Sequence, residues 1–190
     1  MWASDESALR KHDDEYVAGL HSSDWFVGLA RILQEPSGSD AESAIRRAIY
    51  WFSDAQADTS PEMQLVKFWS CIECFFSFEN SGKTTQNIKR GLTALLTFGN
   101  FKFSRLDVWR NLEKEIDASY ELRSTAVHDA KHSHVSDSDI TTVSKWATWA
   151  ILEVSGLIAD GYQSRAEIKE QTDRLSDLLR KERNRKKGHE

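Results

Sequence analysis

The spacing of the apolar residues is the feature that most limits how this chain can fold. In successive segments they recur every three or four positions, which places them on one face of a helix. Two clear examples are Trp25, Phe26, Leu29, Ile32 and Leu33, and then Leu65, Phe68, Trp69, Ile72, Phe75 and Phe76. Only two prolines and nine glycines interrupt 190 residues, which is few turn formers for a β-sandwich or barrel. The sequence therefore predicts an all-α fold, a bundle of about six to seven helices.

Capping signals divide these segments into separate helices. Ser39-Asp40-Ala41-Glu42 and Ser164-Arg165-Ala166-Glu167 are capping boxes, and Ser60-Pro61 places proline at the first helical position. The predicted helices run from Asp24 to Gln34, from Asp40 to about Ala57, from Pro61 to a break at Glu79, from Thr84 or Thr85 to Gly99, from an N-cap at Ser104 to His128, from Ile140 to Ala159, and from Arg165 into the basic tail. Residues 1–23 are predicted as an N-terminal lead-in, 24–179 as one helical domain and 180–190 as a basic C-terminal tail.

The charge of the chain is unevenly distributed. The net charge is −5, but residues 180–187 hold six basic residues and one acid, so the remainder carries −10. A globally acidic protein does not coat nucleic acid non-specifically, because the polyanion is repelled. Any nucleic-acid chemistry must therefore be local or use the tail, whose simplest interpretation is a solvated helix end.

Composition also predicts a compartment. No apolar run approaches the roughly 18 residues that a membrane span needs. The start, Met1 to Glu6, is acidic and has no secretory signal. Two cysteines do not form a disulfide framework, so we expect a protein of the reducing cytosol with no membrane association.

Two short motifs have simple structural explanations. Gly82-Lys83-Thr84 resembles the end of a phosphate-binding loop, but Ser77 stands where the motif needs glycine and no strand precedes it, so we expect an ordinary interhelical loop. Cys71 and Cys74 form a C-x-x-C inside an apolar helix, which favours buried, inert thiols. The alternative is a metal site completed by the histidines at 128, 132 and 134. We predict no metal and no cofactor.

The most informative segment surrounds Arg123. At about 100° per residue, Arg123 lies about 20° from Ile116, in the middle of a buried stripe that includes Tyr120 and Val127. A guanidinium keeps its proton and is costly to bury without a partner. On the helix after Ser60, Glu73 lies beside the apolar face. We therefore expect an Arg123–Glu73 ion pair, and a purely structural pair and a functional pair are equally open on this geometry.

Arg123-x-x-x-x-His128 resembles the R-x4-6-H motif of HEPN domains, all-α domains of prokaryotic toxins, anti-phage systems and RNA-processing enzymes. The segments Trp69 to Glu73, Gly82 to Leu96 and Tyr120 to His128, in this order, are similar to the ApeA-like HEPN group. The resemblance covers roughly residues 44 to 175, most of the chain.

The resemblance implies a metal-independent endoribonuclease acting in anti-phage defence or as a toxin. It further implies a homodimer in which two motifs form one composite cleft. His128 would be the general base on the ribose 2′-OH, since its ordinary pKa near 6.5 suits neutral pH. Arg123 would stabilise the charge of the transition state, and Glu73 would orient Arg123. Cleavage would leave a 2′,3′-cyclic phosphate and a 5′-OH.

The positions around the motif refine this expectation. Ser124 follows the arginine, as it often does in ApeA-like sequences, and Ser124, Lys131 and His132 are the expected substrate-binding residues. Ala130 stands where a tyrosine marks HEPN domains with nucleotidyltransferase antitoxins, so we expect no such partner, although another regulatory protein remains open. Asp129 beside the histidine would raise its pKa and repel phosphate. The effect of Asp129 favours an alternative function, a catalytically weak or inactive HEPN module for dimerisation or RNA binding. A second alternative is a helical metal-binding protein that uses the cysteines and histidines.

Overall fold

The computed structural model describes residues 23–35, 38–78, 84–99, 109–128 and 135–187, with the backbone alone at 25, 84, 110, 128, 179 and 182–187. Seven helices occupy these ranges, and none of these residues is in a strand: α1 (Asp24–Gln34), α2 (Asp40–Ala57), α3 (Pro61–Phe76), α4 (Thr84–Phe98), α5 (Trp109–His128), α6 (Asp137–Ala159) and α7 (Arg165–Lys187). The predicted all-α bundle of six to seven helices is confirmed. Apart from Ser23, the predicted lead-in lies outside the described residues, as does the predicted N-cap Ser104.

The predicted helix caps are present. Ser39 accepts a hydrogen bond from the backbone N–H of Glu42 at 3.1 Å, and the Glu42 carboxylate accepts one from Ser39 N at 3.0 Å. The same reciprocal pair joins Ser164 and Glu167, at 3.2 and 2.9 Å. Ser60 caps the third residue of α3 at 3.3 Å. Since such caps satisfy backbone donors that the helix itself cannot, they fix where α2, α3 and α7 begin.

Helix α6 begins earlier than the sequence predicted. It starts at Asp137, three residues before the predicted Ile140. Ser136 accepts from Asp139 N at 3.3 Å, and the Asp139 carboxylate accepts from Ser136 N at 2.9 Å, which is a third capping box. The apolar pattern begins only at Ile140, and the first turn of the helix is polar, so apolar periodicity alone does not predict that turn.

Two residues predicted on buried stripes are exposed. Leu33 is 48% exposed, because α1 contacts the bundle along a narrow strip in which Ile32 is the buried residue. Val127 is 47% exposed, since the burial of α5 falls from Leu112 and Ile116 towards its C-terminal turn. Periodicity locates the apolar face of a helix but does not say how far its neighbours extend along it.

Helix α3 is the centre of the core. It packs against α2, α4, α5, α6 and α7. Its buried residues are Leu65, Phe68, Trp69, Cys71, Ile72, Phe75 and Phe76. Contact on several sides explains why its apolar face is wider than that of a surface helix. None of the described helices has the combination of length and apolarity that crossing a bilayer requires.

Helix α7 passes through the predicted boundary between domain and tail. It runs from Arg165 to Lys187 without interruption, so residues 180–187 of the basic tail continue the helix. Residues 188–190 lie outside the described part of the chain.

Two glycines provide a test of the packing between α3 and α4. A Cβ at Gly91 would overlap the ring of the buried Phe76, whereas a Cβ at Gly28 in α1 would meet nothing within 4 Å. Gly91→Ala should therefore destabilise the protein by about 1–3 kcal/mol, because Phe76 must leave its site. Gly28→Ala is the matched control and should stabilise by about 0.5–1 kcal/mol through helix propensity. Urea unfolding of both variants measures the difference, and an equal effect of the two substitutions would contradict the close approach.

Candidate active site

The candidate site lies where α3 and α5 contact each other. Arg123 and Tyr120 are one turn apart on α5, which puts both side chains on the face that meets α3. Glu73 lies on α3 and faces them. The carboxylate and the guanidinium side chain are 19% and 22% exposed, so the pair sits at the edge of the core with a limited opening to solvent.

Glu73 holds Arg123 through an ion pair that the sequence predicted. Arg123 Nη2 lies 3.2 Å from Glu73 Oε1 and donates to Oε2 at 3.3 Å. The Tyr120 hydroxyl donates to Oε1 at 3.0 Å. The guanidinium carbon also lies 5.5 Å from the centre of the Tyr120 ring, within range of a cation–π contact. One carboxylate therefore receives two donors, and both come from the same face of α5.

Trp69 fixes the position of Tyr120. It is fully buried one turn before Glu73 and meets the Tyr120 ring edge-on, with 5.1 Å between the ring centres. Its indole N–H donates to the hydroxyl of Ser119 at 3.3 Å. The indole also packs edge-on against the ring of Trp146 on α6, with 6.1 Å between the ring centres. Since a buried indole has little freedom to move, the phenol that binds Glu73 is held by the core itself.

Arg123 retains an unsatisfied donor. Its Nε is buried and has no hydrogen-bond partner among the residues that the structure describes. A buried donor without an acceptor costs about 1–3 kcal/mol. Glu73 thus neutralises the guanidinium without satisfying all of its donors. The Nε itself is closed to solvent, so another molecule can reach the guanidinium only through the exposed part of the side chain, which is 22% exposed.

The environment raises the pKa of Tyr120. Burial is the largest cause, and the negative charge of Glu73 together with the hydrogen bond to its carboxylate acts in the same direction. The nearby Arg123 and the hydroxyl of Thr85 on α4 oppose the shift. The phenol therefore stays protonated at neutral pH and acts as a donor.

The other predicted site residues are described only in part. Ser124 lies next to Arg123 on α5 and is half-buried. Helix α5 ends at His128, whose side chain lies outside the described atoms, and Lys131 and His132 lie outside the described residues. The structure therefore brings together Glu73 and Arg123, and the relation of the other residues to this pair stays a prediction.

The C-x-x-C thiols are in the protonated form. Burial raises the pKa of both Cys71 and Cys74, most strongly that of Cys71. The Cys74 thiol contacts the carbonyl oxygen of Ser70 at 3.2 Å. A protonated thiol is a poor nucleophile. Cys71 is buried as predicted, whereas Cys74 is only partly buried. Among the described residues no three potential ligand side chains lie together as a metal site would need; the histidines at 132 and 134, which the metal alternative uses, are outside them.

The sequence interpretation missed the roles of Tyr120, Ser119 and Trp69. Tyr120 was assigned to the apolar stripe only, although its position three residues before Arg123 already placed both on one helical face. The signal for a shared carboxylate was therefore present. The bond between Trp69 and Ser119 has no comparable signal, because it depends on how two separate helices are aligned.

No protein-family model, no curated protein and no solved structure matches this chain. The residues of the site and the motif around Arg123 are therefore what indicate a function.

The ion pair should contribute measurably to stability. Glu73→Ala leaves a guanidinium at the edge of the core without its carboxylate, and should lower the free energy of unfolding by about 1–3 kcal/mol, between the values for surface and buried pairs. Glu35→Ala is the control, since Arg31 and Glu35 form a pair in which both side chains are 51% exposed, and it should change stability by less than about 0.5 kcal/mol. Equal effects of the two substitutions in urea unfolding would show that the Glu73 pair is energetically a surface pair.

Tyr120 should titrate at higher pH than a free tyrosine. The difference in phenolate absorbance between the wild type and Tyr120→Phe should appear above pH 10, because folding favours the protonated phenol. By linkage, the stabilisation from this group is complete below about pH 10 and is lost as the pH rises through the raised pKa. The fall in stability over this interval should be smaller in Tyr120→Phe. A difference spectrum that titrates at or below pH 10 would contradict the assigned environment.

Proposed function

We propose that this protein is a metal-independent endoribonuclease of the HEPN type, with Arg123 and His128 as its catalytic residues. The observation that carries the proposal is the state of Arg123. Its guanidinium is held in one orientation by Glu73 and the Tyr120 ring, and its side chain is 22% exposed, so an acceptor from another molecule can reach it. This suits a phosphodiester oxygen, which accepts charge-assisted hydrogen bonds from a planar guanidinium.

In the proposed reaction the neutral imidazole of His128 removes the proton of a ribose 2′-OH. The 2′-oxygen then forms a bond to the adjacent phosphorus while the bond from phosphorus to the 5′-oxygen breaks. The leaving 5′-oxygen takes up a proton, for which the imidazolium is the natural donor. Arg123 stabilises the extra negative charge on the phosphoryl oxygens. The products are a 2′,3′-cyclic phosphate and a 5′-OH.

The proposal includes a homodimer because of the helical geometry. His128 is five positions after Arg123, which corresponds to about 140° around the helix axis and about 7.5 Å along it. One straight helix therefore directs the two side chains to different sides. A second copy would bring an arginine and a histidine to one phosphate, and a local deformation of the helix is the alternative. The exposed Val127 offers an apolar surface in the same helical turn as His128 for such a contact.

Cleavage of a fluorescent RNA in the presence of EDTA tests the activity. His128→Ala and Arg123→Lys should each lower the rate by about 100-fold or more, since they remove the base and the oriented guanidinium. His12→Ala is a matched control that should cleave normally. The 5′ ends of the products should accept phosphate from a polynucleotide kinase directly, and a 2′-deoxy nucleotide at the cleaved position should block the reaction.

Mixing the two inactive variants tests the composite site. In a mixed dimer of Arg123→Ala and His128→Ala, one cleft receives both wild-type residues, so about a quarter of the sites should recover after exchange of subunits. No recovery, with exchange demonstrated, would place both residues in one protomer. A folded wild-type protein that never cleaves RNA would favour the alternative of an inactive HEPN module.

A further inference from the structure

The charge of α7 changes sign along the helix. Its first half carries acids that are paired with cations of the bundle or of α7 itself: Asp177 with Arg90 on α4, at 3.2 Å, and Asp173 with Lys169. The second half, 180–187, holds six basic residues and one acid. Complementary charge within the bundle thus accounts for the first half of α7 and leaves the second half unexplained.

Beyond Ser176, the described side chains of α7 are exposed. Ser176, 5% exposed, is the last buried residue among those described on this helix, and Leu178 is already 51% exposed. Arg180 and Lys181 are exposed, and neither has an ion pair with any residue that the structure describes. Residues 178–187, which we name the basic arm, extend over about 15 Å at 1.5 Å per residue.

The basic arm lies at the same end of α4 as the candidate site. Helix α5 runs antiparallel to α4, because Lys89 pairs with Asp117 while the earlier Thr85 lies beside the later Tyr120. The first half of α7 also runs antiparallel to α4. Its early residue Gln171 lines a small cleft with Phe98 and Gly99, near the C-terminus of α4, and the later Asp177 meets Arg90.

These two alignments bring the C-terminal parts of α5 and α7 to the N-terminus of α4. The six residues from Arg90 back to Thr84 cover about 9 Å, as do the six from Asp177 to Arg183. The middle of the basic arm is therefore level with the first turn of α4, where Thr85 lies beside Tyr120. Arg123 follows Tyr120 by one turn on α5.

We propose that the basic arm binds the phosphate backbone of the RNA strand whose cleaved phosphodiester is held by Arg123. This inference rests on the proposed function and adds a substrate-binding surface to it. The rest of the chain carries a net charge of −10 and repels a polyanion, so binding needs a local attraction close to the site. The helix dipole explains cations in the last turn of a helix only, whereas these six span two turns.

Binding of a single-stranded 2′-O-methyl oligouridylate tests the proposal without cleavage, because the nucleophilic hydroxyl is blocked. The arm variant is Arg180→Gln/Lys181→Gln/Arg183→Gln. The control is Lys114→Gln/Lys145→Gln/Arg174→Gln, which removes the same charge from exposed positions elsewhere. Fluorescence anisotropy at several salt concentrations gives the affinity and its salt dependence, and circular dichroism checks that both variants keep the wild-type helix content.

The arm variant should bind about tenfold more weakly than the wild type, and the slope of log K against log salt should become shallower by about 2, or about 0.7 for each lost phosphate contact. The control should stay within about twofold of the wild type. Equal losses in the two variants would overturn the proposal, since only net charge would then matter. Binding by the wild type to phosphatidylserine vesicles but not to the oligonucleotide would also overturn it, in favour of a membrane surface.

The outcomes separate this inference from the proposed activity. If the wild type cleaves RNA and the arm variant binds the oligonucleotide as tightly as the wild type, the ribonuclease proposal is supported. The proposed role of the basic arm in RNA binding is then wrong. Weakened binding by the arm variant, combined with a wild type that does not cleave, would support the arm as an RNA-binding surface and overturn the ribonuclease.

Discussion

The ion pair between Glu73 and Arg123 is the constraint around which this region of the bundle is arranged. A guanidinium on the inner face of α5 cannot lose its proton, so α3 has to present a carboxylate at the same level. This requirement fixes the alignment of the two helices within about one turn. Trp69 and Tyr120 follow from it, because the indole packs against the phenol and the phenol donates to the carboxylate.

The pair fits both a structural and a chemical interpretation of the site. A structural pair can be replaced by apolar residues of similar shape at little cost to stability, whereas replacing a chemical pair removes the activity. Here the carboxylate receives donors from Tyr120 and Arg123, while the guanidinium Nε has no acceptor among the described residues. Under the proposed function, an RNA phosphate would meet the exposed part of the Arg123 side chain, which is 22% exposed. The acidic bundle and the basic arm of α7 fit the same proposal, because they confine the attraction to one end of α4.

Much of the fold could be predicted because its signals are local. The caps at Ser39, Ser60 and Ser164 depend on residues three positions apart, and they set helix starts correctly. The ion pair of Arg123 was predictable because each partner violates the apolar pattern of its own helix. The errors at Leu33 and Val127 have the opposite origin: both follow the pattern, but the neighbouring helices do not extend over them.

The sequence by itself determined the helices, their caps and the need for an acid opposite Arg123, since these follow from spacing along the chain and from the cost of burying charge. Only the tertiary structure decided that Tyr120 shares the carboxylate of Glu73, that Trp69 donates to Ser119, and that α5 and α7 both run antiparallel to α4. Those relations join side chains from different helices. They depend on the register and direction in which the helices pack, and the periodicity of a single helix does not specify either.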